Sequence, residues 1–315
     1  MKLIIQIPCY NEEKTLVDVL KTIPKKIPGI TQIERQIIDD GSTDKTIEVA
    51  KKYKVTHIVK HTGNKWLGYA FKSWVENALA EGADILVNTD WDNQYPSKYI
   101  SDLIQPLLAW EADMVMWDRQ TATIEHFSPL KKFFQWFGSS VVRYFSGTSV
   151  PDSVSWFRAY SRDCLLRLNV TSQFSYAVDT IVQAGNKKLK VASIKIETNK
   201  PTRPSRLFKN MYHHMYKTGQ ILLRVYTMYN PMRLFFTLGY PFLFLGSIGI
   251  LRFLYFYFIN PVDTGKVQSL ILSWVFLIIA VQFFALGIIG DLIAKNRKLI
   301  EDDLYFTKKR YFEKK

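Results

Sequence analysis

The chain has 315 residues and a net charge of +14, and it is 48% hydrophobic and 15% aromatic. That suffices for one large domain with a sizeable core plus something smaller, and the positive excess points to an anionic partner: nucleic acid, a membrane surface or phosphorylated substrates. The two cysteines, Cys9 and Cys164, lack metal-ligand spacing, which excludes a cysteine metal centre and fits a reducing compartment.

After Lys2 comes the apolar run Leu3-Ile4-Ile5-Gln6-Ile7. It is too short for a signal peptide and no small-residue cleavage site follows, so it reads as a first, buried strand. It runs into the polar cluster Pro8 to Glu13, and Thr15 to Thr22 reads as a short helix. A second apolar strand, Gln36 to Ile38, ends in Asp39-Asp40-Gly41-Ser42-Thr43-Asp44. Thr43 or Asp44 can cap the helix expected over Lys45 to Tyr53. Thr56 to Val59 is a third strand and Leu67 to Glu81 a helix. The strand Ile85 to Val87 then leads into Asp90-Trp91-Asp92-Asn93-Gln94-Tyr95-Pro96, and Ser97 to Trp110 leads away as a helix. Strands alternating with helices predict βαβ units and a parallel sheet. Ligands of such sheets bind outside the carboxyl ends of strands, where all three polar clusters fall.

Asp90 and Asp92 are two residues apart, so along extended backbone they face the same way. Paired carboxylates suit Mg²⁺ or Mn²⁺ that keeps positions for waters and phosphates, and Gln94 could add a neutral oxygen. A solvated acidic loop is the alternative for this motif taken alone.

The set Pro8-x-Tyr10-Asn11-Glu12, Asp39-Asp40-Gly41-Ser42-x-Asp44 and Asp90-x-Asp92-x-Gln94-x-Pro96 resembles family 2 glycosyltransferases of the GT-A fold. Two apolar segments further on make it similar to the polyprenyl-phosphate glycosyltransferases, the dolichyl-phosphate mannose synthase type. The resemblance covers roughly residues 1 to 206. It implies that Pro8, Tyr10 and Glu12 line the base and ribose of a nucleotide-sugar, that Asp39 contacts the base edge with Asp40 nearby, and that Lys65 lies on the donor side. It implies that Asp90 sits by the ribose and diphosphate, with Asp90, Asp92 and Gln94 as the metal set. Three tryptophans depart from the pattern. Trp66 and Trp156 replace glycines, and Trp91 stands where a small residue is common. They either reshape the donor sugar pocket or fill space against a shifted loop.

On the acceptor side, Met114 to Met116 reads as a strand with Arg119 just beyond. The resemblance implies that Arg119 and Lys132 hold an acceptor phosphate. Phe127, Leu130, Phe133, Phe134, Phe137, Val141, Tyr144 and Phe145 recur at helical spacing, with Lys131, Lys132 and Arg143 among them. That amphipathic helix is either packed on the core or lies in a membrane interface. Asp152-Ser153-Val154-Ser155 is expected as an acceptor loop, Ser155 included. The helix Ser172 to Ala184 carries Asp179, which is a catalytic base only if the acceptor is an alcohol; a phosphate oxygen is already anionic. After the strand Val191 to Ile196, Lys200, Arg203 and Arg206 form a basic loop suited to phosphate oxygens.

An amphipathic helix over 206–231 precedes two apolar runs, Leu234 to Ile259 and Ser269 to Ile289. Each is long enough for a bilayer core of about 30 Å. Arg233 precedes the first, whereas Lys295, Arg297, Lys298 and further lysines follow the second, so both flanks are expected on the cytoplasmic side. Arg252 snorkels to the headgroups or faces the partner helix.

The sequence therefore predicts an α/β chain: a GT-A, Rossmann-like, mostly parallel catalytic domain over 1–205, an amphipathic juxtamembrane helix over 206–231, a transmembrane hairpin over 232–291 with spans near 234–259 and 269–290, and a basic cytoplasmic tail over 292–315. The expected activity is inverting, Mg²⁺- or Mn²⁺-dependent transfer from a UDP- or GDP-sugar to a polyprenyl phosphate. The alternatives are transfer to a hydroxyl of a glycolipid or lipid-linked saccharide, with Asp179 as base, and an inactive membrane-anchored nucleotide-sugar-binding scaffold. The partners are the donor, the lipid acceptor and the bilayer rather than nucleic acid, because much of the positive charge flanks apolar helices. A homo-oligomer stays open.

Overall fold

The computed structural model describes residues 1–91, 95–119, 129–153, 155–171, 176–196, 211–259 and 267–313, apart from the side chains of 129–131, 133–135 and 211–215. Its strands are β1 (Lys2–Cys9), β2 (Gln32–Asp39), β3 (His57–Lys60), β4 (Ile85–Asn88), β5 (Met114–Asp118), β6 (Arg158–Ser161) and β7 (Val191–Lys195). The helices are α1 (Leu16–Thr22), α2 (Thr46–Lys52), α3 (Trp66–Ala80), α4 (Ile100–Leu108), α5 (Pro129–Ser146), α6 (Arg162–Arg167), α7 (Ala177–Asn186), α8 (Met211–Tyr229), α9 (Pro231–Ile259) and α10 (Val267–Glu313).

The apolar runs form the middle of one sheet, in the order β3-β2-β1-β4-β6-β5-β7. Leu3, Ile4, Ile5 and Ile7 of β1 are wholly buried, as expected of a central parallel strand covered on both faces. Each such isoleucine contributes about 1.5–3 kcal/mol by leaving water. β1 pairs in parallel with both β2 and β4. The chain thus winds outward from β1 in both directions, and β1/β4 is the switch point where ligands of such sheets bind.

The sequence expectation of a mostly parallel sheet holds, with one interruption. β6 runs antiparallel between β4 and β5. Its four residues, Arg-Ala-Tyr-Ser, carry no apolar run, so nothing in the pattern announces it. The expected helix from Ser97 starts with a 3-10 turn at Ser97–Tyr99 before α4. α4 buries Ile100, Leu103, Ile104 and Leu107, the i, i+3, i+4, i+7 stripe of a packed helix.

The chain divides into two compact units, Met1–Leu223 with Leu304–Lys315, and Arg224–Asp303. In the second unit α9 and α10 pack through small residues. A Cβ added to Gly246 would meet Leu277 Cγ at 2.8 Å and the Ser273 carbonyl at 2.9 Å. Their outer faces carry exposed Phe244, Leu251, Tyr255, Ile271, Trp274 and Ile278. Both helices are long and apolar enough to cross a membrane. Near the end of this unit Arg297 donates to Glu301 at 2.9 Å and lies 4.8 Å over the Tyr229 ring. Residues 292–313, expected as a basic tail, continue α10 as helix to Glu313.

Candidate active site

Three polar clusters end three neighbouring strands, β2, β1 and β4. The first two are stitched into one wall by backbone N–H groups donating to side chains. Asn11 N–H donates to Ser42 Oγ and Glu12 N–H to Thr46 Oγ1, each at 2.8 Å. Glu13 N–H donates to Asp44 Oδ2 at 3.1 Å, and Thr43 N–H returns a bond to Asn11 Oδ1 at 2.8 Å. Asp44 accepts from the hydroxyl and the N–H of Thr46 as well. Burial alone would raise the Asp44 carboxyl, but these hydrogen bonds outweigh it and hold it below the usual carboxylate range.

Asp39 is fully buried and accepts from Ser42 N–H at 3.1 Å. Asp40 ties in the loop after β3, bonding His61 Nδ1 at 2.8 Å and accepting from Lys65 N–H at 3.0 Å. Gly41 has φ +88°, and a Cβ there would lie 2.7 Å from Gly63 Cα. Only glycine permits both the turn and the contact. Pro8 is half-buried and Tyr10 is 43% exposed on this rim, while Glu12 is buried and accepts from Thr15 Oγ1 at 2.8 Å. Burial raises the Cys9 thiol well above its ordinary value, and Glu12, Asp39 and Asp44 add to the shift, so it stays protonated.

Thr89 N–H donates to the Gln6 carbonyl at 3.0 Å, extending the β1–β4 ladder one residue and placing Asp90 just past it. Asp92 and Gln94, the other two expected metal ligands, lie outside the described residues, as do the basic-loop residues Lys200, Arg203 and Arg206. Among the described residues no three His, Cys, Asp or Glu side chains converge on a metal-sized site. The donor chemistry of Asp90 with Asp92 and Gln94, all hard oxygens at a strand end, fits Mg²⁺ or Mn²⁺.

The side of the sheet expected to take the acceptor is held by two arginines, one half-buried and one wholly buried. Arg119, just after β5, donates from Nε and Nη2 to the two oxygens of Asp152, at 2.5 and 3.0 Å. Burial opposes its charge, but Asp152 dominates, with Tyr95 and Asp90 adding, and the guanidinium stays ionised. Arg158 on β6 is wholly buried and donates to the carbonyls of Ser155 (2.7 Å), Ala177 (2.8 Å) and Ser153 (3.2 Å) and to Thr180 Oγ1 (2.7 Å). It fastens Ser153 and Ser155 to the start of α7. Sequence reasoning missed this role. The available signal was an arginine inside the apolar stretch from Trp156 to Tyr160. Ser155 is fully buried, and its hydroxyl has no hydrogen-bond partner among the described residues.

Asp179 on α7 is buried, with Oδ1 accepting from Gln183 Nε2 at 2.8 Å and Oδ2 from Thr171 N–H at 3.2 Å. Lys132 is half-buried on α5, which packs against α7. The tryptophans diverge. Trp156 is buried edge-on to Tyr176, with centroids 5.2 Å apart, whereas Trp66 is 58% exposed at φ +68°, where a glycine would be unstrained. Lys65 lies beside it with its ammonium 4.5 Å over the Tyr69 ring.

This arrangement, polar clusters after adjacent strands of a mostly parallel sheet with one antiparallel insertion, is the α/β architecture of the GT-A fold. Residues 4–168 match the Glycosyl transferase family 2 model, and the chain belongs to that family. A UDP-N-acetylglucosamine–dolichyl-phosphate N-acetylglucosaminyltransferase of Methanococcus voltae is 27% identical, over 61% of this chain and 83% of that protein. A polyprenol monophosphomannose synthase of Mycolicibacterium smegmatis is 23% identical, over 60% of this chain and 74% of its own. The fold is that of glucosyl-3-phosphoglycerate synthase from Mycobacterium tuberculosis with bound UDP, at TM-score 0.54 and 20% identity, covering 71% of this chain and 80% of that one.

Proposed function

We propose that the protein transfers a sugar from a UDP- or GDP-sugar to a polyprenyl phosphate, with inversion, at the cytoplasmic face of a membrane. The observation that carries this reading is the presence in one chain of three motif clusters on neighbouring strand ends and two helices long enough to cross a bilayer. The names of the Methanococcus and Mycolicibacterium relatives, both for transfer to lipid phosphates, support the acceptor class.

In this reading the wall formed by Pro8, Tyr10, Glu12, Asp39 and Asp40 receives the nucleoside, with Lys65 on its rim. Asp90, Asp92 and Gln94 would hold the divalent cation, which when bound offsets charge on the departing diphosphate. An acceptor phosphate oxygen attacks the anomeric carbon from the face opposite the diphosphate, and the bond from that carbon to the diphosphate oxygen breaks. The acceptor oxygen brings its own negative charge, so no base is required. The position of Asp179 agrees, since both its oxygens already accept hydrogen bonds in the interior. Arg119, Lys132, Ser155, Arg203 and Arg206 would surround the acceptor phosphate. Trp136 and Phe137, exposed on α5, suit an interfacial approach of the lipid.

Membranes containing the protein would be given labelled UDP- and GDP-sugars, with and without polyprenyl phosphate and Mg²⁺. Label in a mild-acid-labile lipid is expected. Label only in an acid- and alkali-stable glycolipid would replace the acceptor by a hydroxyl. Nucleotide binding without transfer to any acceptor would leave a binding scaffold.

A further inference from the structure

The carboxyl end of α10 belongs to the same compact unit as the candidate site. Tyr305 donates to Asp163 Oδ1 at 2.6 Å, and the Arg167 guanidinium lies 4.3 Å over its ring. Arg167 Nε also donates to Asp163 Oδ2 at 2.7 Å. Burial would raise the Asp163 carboxyl, but the bonds from Arg167 and Tyr305 hold it below its ordinary value. Further along, Arg162 Nη2 donates to the Phe312 carbonyl at 3.1 Å. Lys308 reaches past α6: its ammonium donates to Asn169 Oδ1 at 2.7 Å and to the Leu168 carbonyl at 3.4 Å.

Asn169 is itself locked to α7. Its N–H donates to Gln183 Oε1 at 2.9 Å, and its carbonyl accepts from Gln183 Nε2 at 2.8 Å. That same Nε2 donates to Asp179 Oδ1, while the N–H of Thr171 donates to Asp179 Oδ2. A continuous hydrogen-bonded path therefore runs from Lys308 through Asn169 and Gln183 to Asp179. It ties Asn169 and Thr171 to α7. The groups facing Lys308 from α6 and its following turn are a carbonyl and an amide oxygen, which an ammonium satisfies as a donor.

We propose that Lys308, with Tyr305 anchoring the same end of α10 on Asp163, is a positioning residue for the acceptor side: the docked end of α10 fixes Asn169, Thr171 and Asp179, and so the seat of the acceptor phosphate. The assignment of this side to the acceptor rests on the function proposed above. The coupling itself rests only on the hydrogen-bonded path.

The test uses the full chain in lipid nanodiscs, comparing wild type with Lys308→Met, Lys308→Arg and Tyr305→Phe. In Lys308→Met the amides of Asn169 and Thr171 should exchange hydrogen faster, with β1 and β2 unchanged. Its KM for polyprenyl phosphate should rise about tenfold, as expected when a charge-assisted hydrogen bond is lost. The donor KM and the affinity for free nucleoside diphosphate should stay as in wild type. Lys308→Arg should restore most of both effects, and Tyr305→Phe should show a weaker version of them. Unchanged exchange at Asn169 and Thr171 would overturn the coupling. Faster exchange with wild-type acceptor kinetics would overturn the positioning role, as would equal damage to donor and acceptor parameters that arginine does not rescue. If wild type transfers nothing to polyprenyl phosphate, the proposed function falls, and the exchange result alone decides the coupling.

Discussion

The two sides of the candidate site, called donor wall and acceptor side after the proposed function, are built in opposite ways. The wall joins two loops, 10–13 and 42–46, through short bonds from backbone N–H groups to Ser, Thr, Asn and Asp side chains. The acceptor side joins loop, strand and helix through the long guanidiniums of half-buried Arg119 and wholly buried Arg158. Short polar side chains fix their own neighbourhood, so the wall is written in compact motifs. An arginine can satisfy several carbonyls far away in sequence, so its partners cannot be read from spacing. The wall is therefore expected to tolerate charge changes and fail on backbone changes, and the acceptor side the reverse.

The largest effect is expected at the proposed metal set. Asp92→Ala should lower transfer by about a thousandfold or more, on the scale of losing a main electrostatic stabiliser of a transition state. The variant should keep the wild-type melting temperature and membrane association. Near-normal turnover would show that the cation is held elsewhere.

Next comes Arg158→Met. It removes the guanidinium donor from the buried carbonyls of Ser153 and Ser155, and one of the donors to Ala177, which keeps the Thr180 hydroxyl. Each orphaned group costs about 1–3 kcal/mol, so thermal unfolding should shift down by many degrees. Acceptor kinetics should deteriorate before donor binding does. A melting curve matching wild type would mean that water replaces the guanidinium.

On the wall, Gly41→Ala should cost about 1–3 kcal/mol through its positive φ and the clash with Gly63. Here the donor KM should move and the acceptor KM should not, which is the mirror image of Arg158. Trp66→Gly acts at the same rim. Relief of its φ of +68° gains about 1 kcal/mol, and glycine's extra unfolded entropy takes back a similar amount. Stability should barely change, while relative use of UDP- and GDP-sugars shifts. Identical donor kinetics would place the indole outside the donor path.

The same contrast explains what the sequence discloses. Buried parallel strands are visible as apolar runs, and their polar ends as motifs, and the order β2-β1-β4 makes the strands that carry the three motifs neighbours. β6 is invisible because Arg158 and Ser161 leave only Ala159 and Tyr160 between them, too short for an apolar run. The Arg119–Asp152 pair spans 33 residues, and only the fold closes it. The last turns of α10 look like a solvated basic tail because their charges mask a docked face. The ion pairs Asp291–Lys295, Arg297–Glu301 and Lys309–Glu313, each four apart, were a helical signal there.

The smallest expected effect tests one charge-dependent joint of the wall. Asp44 titrates below its unfolded value because Thr46 and the N–H of Glu13 bond its ionised form. Its stabilisation is therefore complete above the unfolded aspartate value of about 3.9 and disappears as pH falls through the lower folded value. The melting temperature of Asp44→Ala should lie below that of wild type by a constant margin near neutrality, and the margin should close in that acid window. A margin that persists at lower pH would assign the wall's rigidity to the neutral Ser42, Thr43 and Thr46 bonds alone. A margin that closes would make Asp44 the exception to a wall otherwise fixed by backbone geometry.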